Sequence, residues 1–307
     1  MTKKLNFGIT SVDINVIHMK KGVLMSLDKK EIGVIGGSGV YQLEGIEVVK
    51  EHDVDTPFGK PSSKIIEATV NGAKCFFLPR HGVGHTILPH EVNYRANIYA
   101  MKSLGVEYIV SVSAVGSLKE ELPPTKFVLV DQFIDWTKGK RERSFFGEGL
   151  VAHVSVANPI NENLQNIIEE NCKSAALDYS KGGSYICIEG PQFSSKAESN
   201  IYRSFGASVI GMTNVPESYL AKEAGIAYAT VAMVTDYDCW KEEHCTVDEI
   251  MKVMAENNKN VQKLLMDLIP NLSNNKFEFV KENKIGLMTP ETSWTSKQRD
   301  MLEVLMR

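Results

Sequence analysis

No apolar run in this chain approaches the ~20 residues that a helix needs to cross a bilayer. Positive charge is not in excess either. Lys and Arg number 34 against 38 Asp and Glu, for a net charge of −4, so the basic footprint that nucleic acid or an anionic membrane surface requires is missing. The five cysteines, Cys75, Cys172, Cys187, Cys239 and Cys245, are scattered and odd in number. That excludes a disulfide framework and points to reduced thiols in the cytoplasm. Cys239, His244 and Cys245 crowd together without the second ligand pair of a zinc site, so no metal is expected. Met1–Lys30 has neither the continuous apolar stretch nor the small-residue cleavage site of a secretory leader, and reads as an N-terminal extension. Repeats and low-complexity tracts are absent. What remains is 307 residues, 43% hydrophobic and 23% charged, enough to bury a large core.

The apolar residues that are present come in short runs, each ending in a polar or glycine-bearing turn. Glu31–Ile35 breaks on Gly36-Gly37-Ser38-Gly39, Ala73–Leu78 on Pro79-Arg80-His81-Gly82, and Tyr108–Ser113 on Ala114-Val115-Gly116-Ser117. Phe127–Val130, Ser184–Ile188 and Ala207–Ile210 read as further strands, and Gln132–Val154 as a polar excursion. Helical periodicity covers Asn93–Leu104, Asn161–Ala176, and a stripe of Val247, Ile250, Met251, Met254, Val261, Leu264 and Leu268 that ends at Pro270. Ser195 with Glu198, and Thr246 with Glu249, have the spacing of capping boxes. Asn214 with Glu217 caps the helix that runs to Ala224, which puts Thr213 at a helix N-terminus, a natural anion site. Ser273–Lys284 reads as linker and Ser296–Met306 as a terminal helix. Strands alternating with helices imply an α/β fold with a mostly parallel sheet.

Chemistry concentrates where the runs end. The glycine turn at 36–39 fails the dinucleotide fingerprint, because Gln42 stands where the third glycine belongs, and it lacks the Lys-Ser/Thr of a P-loop. By itself it reads first as a structural turn, and only second as one whose backbone N–H groups approach an anion. Arg80-His81 offers a fork that can clamp a phosphate bidentately, or a surface Arg beside a satisfied His. The longest run, Ile226–Val234, leads to Asp236 and Asp238. In extended chain these carboxylates point the same way, with no basic residue before Lys241. They are either a solvated loop or two acceptors facing a ligand rich in N–H donors. Ser38, Arg80-His81, Ser113-Ala114 and Met212-Thr213 together suit an oxyanion, and the acidic pair suits a base. A phosphate plus an N–H-rich base explains both.

The stretches GVIGGSGVY, DTPFGKPS, PRHGVGHTILPHEVNYRANI, SVSAVGS, DQFIDWTKG, IEGPQFSSKAES, GMTNVPE and MVTDYDCWK resemble, in collinear order, the 5′-methylthioadenosine phosphorylases of the purine nucleoside phosphorylase superfamily. The resemblance implies one α/β domain over 31–270, a mixed and mostly parallel sheet flanked by helices, with 271–307 as a C-terminal linker and helix. It implies phosphorolysis of S-methyl-5′-thioadenosine in methionine and purine salvage. It also implies a cytoplasmic homotrimer or dimer of trimers, and inorganic phosphate as co-substrate with no cofactor. Residue by residue, Ser38, Arg80, His81, Ser113, Ala114 and Thr213 would hold phosphate. Met212 would face the ribose, Phe193 and Ser194 the base, and Asp236 and Asp238 N7 and the 6-amino group. Val247, Ile250 and Met251 would line the 5′ pocket, with His153 supplied by an adjacent subunit. Three alternatives are weighed. A phosphorylase for 6-oxopurines such as inosine is opposed by Asp236 and Ser194, since those relatives carry Asn and Glu there; broader action on adenosine, inosine or guanosine stays open at Gly211, where some members of the family carry Asn. A nucleosidase using water is opposed by the phosphate set, and a non-catalytic binding module by the retention of Arg80 and Asp236.

Overall fold

The computed structural model describes residues 30–37, 45–241 and 247–307. Its central strands are short apolar segments that helices cover on both faces, the setting in which a strand needs no alternation of polar and apolar residues. The first is β1 (Glu31–Gly36), buried along its whole length. It is followed by β2 (Ile46–His52), β3 (Ile65–Val70), β4 (Ala73–Pro79), α1 (Tyr94–Ser103) and β5 (Val106–Ser117). Then come β6 (Phe127–Leu129), β7 (Gln132–Trp136), α2 (Glu162–Ser174), β8 (Tyr179–Lys181), β9 (Ser184–Ile188) and α3 (Lys196–Ser204). The chain continues through β10 (Val209–Gly211), α4 (Asn214–Glu223), β11 (Ala227–Tyr237), α5 (Val247–Asn274), α6 (Asn283–Gly286) and α7 (Ser296–Leu305).

The strands form one mixed, mostly parallel sheet that forks at β5. From one edge the order is β2-β3-β4-β1-β5. The start of β5 lies parallel to β1, with Ser111 beside Ile35, and the whole of β5 lies parallel to β11, with Ser113 beside Ala232. Past the end of β1, β10 joins β5 antiparallel, with Ile210 opposite Gly116, and continues into β9 and β7. This fork positions the site. Carried three residues onward, the antiparallel register sets Thr213 across from Ser113, while the parallel register sets Asp236 beside Gly116.

Several sequence expectations are corrected here. The excursion 132–154 contains β7, which β9 pairs along its full length; its half-exposed residues carry no apolar run to reveal it. Helix α5 does not stop at Pro270 but runs on to Asn274. Leu268, Ile269 and Leu272 are fully buried around the proline, and that packing offsets the lost backbone hydrogen bond. Asn214 and Glu217 do not cap α4. Thr213 holds the N-cap position without a side-chain bond, and Val215 is extended (φ −119°, ψ 126°). Glu217 turns inward instead. The linker 273–284 is docked, with Phe277 and Phe279 packed on Tyr108. The capping box at Ser195 and Glu198 is present. The one assigned to Thr246 and Glu249 involves Thr246, which lies outside the described residues.

Candidate active site

Chain leaving β1, β4, β5, β9, β10 and β11 converges on a cavity of about 550 Å³. At one end stands Arg80, which is 1% exposed and is held by a second charge. Its Nε donates to Glu217 Oε2 at 2.6 Å and its Nη2 to Glu217 Oε1 at 2.9 Å. Nη2 also reaches Ser111 Oγ at 2.7 Å, and Nη1 donates to the Val112 carbonyl at 3.1 Å. Burial opposes the guanidinium's charge, but the Glu217 carboxylate more than restores it, so the pKa is raised. The fork is therefore spent on Glu217. A single Nη1 hydrogen is left for a ligand, and the bidentate clamp expected from the sequence does not form.

His81 follows. Its Nδ1 lies 2.9 Å from the Ile87 carbonyl, an acceptor only, so the ring hydrogen sits on Nδ1. Burial, and then the Arg80 charge, push its pKa down to about 4, which leaves Nε2 as a bare acceptor. The ring stacks on His85 with centroids 4.6 Å apart. Ser113 Oγ and Thr213 Oγ1 meet at 2.8 Å, as the register at the fork requires. Ala114 is the one exposed residue of β5 and lines the cavity beside them. Gly37 lines it from β1; Ser38 lies outside the described residues.

At the other end Asp236 and Asp238 flank Gly116, where a Cβ would lie 3.7 Å from Asp236 Oδ2 and 3.5 Å from Asp238 Cβ. Burial pushes both carboxyls above the usual carboxylate range, and for Asp238 the neighbouring Asp236 adds to the rise. Thr235 Oγ1 sits 2.6 Å from Asp236 Oδ1 and 3.1 Å from the Val115 carbonyl. Phe193, Ser194 and Met212 line the wall between the two ends. The Phe193 ring is 86% exposed, and Ser194 Oγ is buried without a partner among the described residues.

The structure thus gathers Arg80, His81, Ser113, Ala114, Thr213, Phe193, Ser194, Met212, Asp236 and Asp238 around one cavity. His153 is not on its wall. Its backbone N–H donates to Gly286 in the C-terminal segment. Met251, placed in the 5′ pocket from the sequence, is 61% exposed and does not line the cavity; Met254 and Asn258, about one and two turns along the same helix, do. The side chains of Val247 and Ile250 lie outside the described residues. Sequence reasoning missed His85, Glu217 and Thr235. The second His of His81–His85 was visible in the motif, whereas Glu217 read as a helix cap. A second depression of about 590 Å³ lies at the start of β11, but its lysines are already engaged, Lys222 with Glu282 and Lys181 with Glu169. Among the described residues no cluster of His, Cys, Asp and Glu is placed to hold a metal ion, and no helix is long and apolar enough to cross a membrane.

The phosphorylase superfamily matches residues 31–270. An S-methyl-5′-thioadenosine phosphorylase of Rhodospirillum rubrum is 53% identical over 236 residues, 76% of this chain and 80% of that protein. One from Thermofilum pendens is 50% identical over 246 residues, 80% of this chain and 94% of that one. Among solved structures, a methylthioadenosine phosphorylase from an Antarctic soil metagenomic library superposes with a TM-score of 0.85 at 42% identity, over 91% of this chain and 100% of that one. The Schistosoma mansoni methylthioadenosine phosphorylase in complex with adenine gives 0.76 at 35% identity, over 91% and 98%. By sequence match, sheet topology and superposition alike, the chain belongs to the phosphorylase superfamily.

Proposed function

We propose that the chain cleaves S-methyl-5′-thioadenosine with inorganic phosphate, giving adenine and 5-methylthio-α-D-ribose 1-phosphate. One observation carries this reading: a single cavity has oxyanion donors at one end and, at the other, two carboxyls whose pKa values burial raises. Phosphate binds between the free Arg80 N–H and the Ser113 and Thr213 hydroxyls. Neutral His81 accepts the hydrogen of monohydrogen phosphate at Nε2, which no protonated His could do. The base stacks on Phe193, whose exposure a purine removes.

The C1′–N9 bond breaks with its electron pair passing into the purine, and a phosphate oxygen bonds to C1′. The Asp236 carboxyl, whose acid form burial favours, gives its proton to N7. Asp238 accepts from the 6-amino group. Positioning and charge complementarity supply the acceleration, without a covalent enzyme intermediate. The co-substrate is phosphate and the reaction calls on no cofactor.

The working unit in this reading is a homotrimer that brings His153 to a neighbour's 5′ pocket. The compartment is the cytoplasm, in keeping with the free thiols of Cys75, Cys172, Cys187 and Cys239. The reaction returns adenine and the methylthioribosyl unit to salvage. Turnover of methylthioadenosine followed as free adenine, with and without phosphate, tests the proposal. Release should require phosphate and yield the sugar phosphate; equal rates in phosphate-free buffer would replace phosphorolysis by hydrolysis.

A further inference from the structure

Beneath the oxyanion end lies a tyrosine to which the reaction above gives no part. Tyr185 in β9 is fully buried, and its registered neighbour on β10 is Val209. Its ring crosses that strand diagonally to Thr213. The Thr213 backbone N–H donates to the phenol oxygen at 3.3 Å, and Thr213 Oγ1 lies 3.4 Å from the same oxygen. Ser113 Oγ meets Thr213 Oγ1 at 2.8 Å and is itself within bonding reach of the phenol, so three hydroxyls cluster where the sheet interior meets the cavity. Space for the phenol depends on glycine at 211. A Cβ on Gly211 would stand 2.1 Å from the phenol oxygen and 2.7 Å from Cζ. Gly211 has no left-handed φ, so the glycine answers to the tyrosine and not to the backbone.

A phenol has one hydrogen and accepts with its lone pairs. Burial keeps Tyr185 protonated, its pKa pushed up to about 12. Having accepted the Thr213 N–H, it has Thr213 Oγ1 and Ser113 Oγ as acceptors for its own hydrogen. The hydroxyl hydrogen of Thr213 is then directed toward Ser113 or the cavity, and that of Ser113 toward the cavity. The Thr213 N–H, which the sequence offers to an anion, is already engaged.

We propose that Tyr185 is a positioning residue for phosphate: it turns the Thr213 and Ser113 hydroxyls toward the oxyanion, and glycine at 211 admits it. The inference rests on the phosphorolytic reading above. The test is initial rates against phosphate at saturating methylthioadenosine, and against methylthioadenosine at saturating phosphate. Tyr185→Phe should raise the phosphate KM roughly three- to tenfold, the worth of one neutral hydrogen bond, with the nucleoside KM unchanged. In a Thr213→Ala background the same change should add less, because the route through that hydroxyl is gone. Gly211→Ala, which displaces the phenol without removing it, should reproduce the rise, and carries the test should Tyr185→Phe not fold. An unchanged phosphate KM overturns the proposal. So does an undiminished rise in the Thr213→Ala background, or a parallel loss in both substrates with a lowered melting temperature. Failure of the phosphorolytic reading would show separately, as phosphate-independent turnover of the unaltered enzyme.

Discussion

Arg80 keeps its charge where water does not reach, and Glu217 makes this possible. The pairing changes what a substitution at Arg80 means. Arg80→Ala should weaken phosphate saturation and turnover by ~2–4 kcal/mol of transition-state stabilisation, as a lost oxyanion donor does. It also leaves the Glu217 carboxylate without a counter-charge at 0% exposure, with only the Ser111 and Tyr228 hydroxyls donating to it, so unfolding by denaturant should show a loss on the order of 3–5 kcal/mol. Arg80→Ala with Glu217→Gln should recover much of the stability and none of the phosphate affinity. Asp236 yields a sharper prediction. Its acid form is the active one, so turnover should fall as pH rises through the raised pKa. Asp236→Asn should lower kcat by roughly 10²–10⁴-fold and abolish that limb of the pH profile. Near-normal turnover in the variant would pass the proton to Asp238 or water. Arg80 and the aspartates were legible in the sequence because each closes a strand. Glu217 was not, since its partner lies 137 residues away and its local spacing is that of a cap.

Helix α4 works at both ends. Its first turn supplies Glu217, and its last residue, Glu223, accepts from the Phe145 N–H at 2.8 Å and the Ser144 hydroxyl at 2.8 Å. It thereby ties down the segment after β7. Burial pushes the Glu223 carboxyl up to about 7. The folded chain therefore holds a proton that the unfolded chain releases near pH 4.5. Its contribution to stability is full below that value and is lost as pH rises toward 7. Glu223→Gln cannot ionise. Unfolding free energies of the two proteins should converge near pH 5 and separate in the variant's favour by pH 8, by on the order of 1–3 kcal/mol. Equal profiles would show that Glu223 titrates normally. Helix and strand identities followed from periodicity wherever a face or a whole segment was buried. They failed at β2, exposed along most of its length, at the part-exposed β3, β7 and β8, and at Pro270, where packing overrides a local breaker.

The whole molecule gives one end of a forked sheet to chemistry. That the fold is α/β could be read from alternating elements; that β10 joins β5 antiparallel, and so faces Thr213 with Ser113, could not, because strand order is not written in local pattern. Nor does a single chain show what reaches the cavity from outside. The proposed trimer makes a testable demand: co-expressed His153→Ala and Asp236→Asn subunits should regain activity that neither homotrimer has, since mixed assemblies unite an intact Asp236 with a neighbour's intact His153. Failure to complement would return His153 to a role within its own subunit. The pairing of β5 with β11 has a further consequence, in time. About 110 residues separate Ser117 from Ala227, and at the usual pace of synthesis that is a delay of roughly 5–20 s. Throughout that interval the longest strand of the sheet waits on the ribosome with a bare apolar edge, the kind of surface that seeks other chains. Nascent chains ending before Ala227 should therefore accumulate in the insoluble fraction or on chaperones, and slowing translation ahead of that codon should lower the yield of folded enzyme.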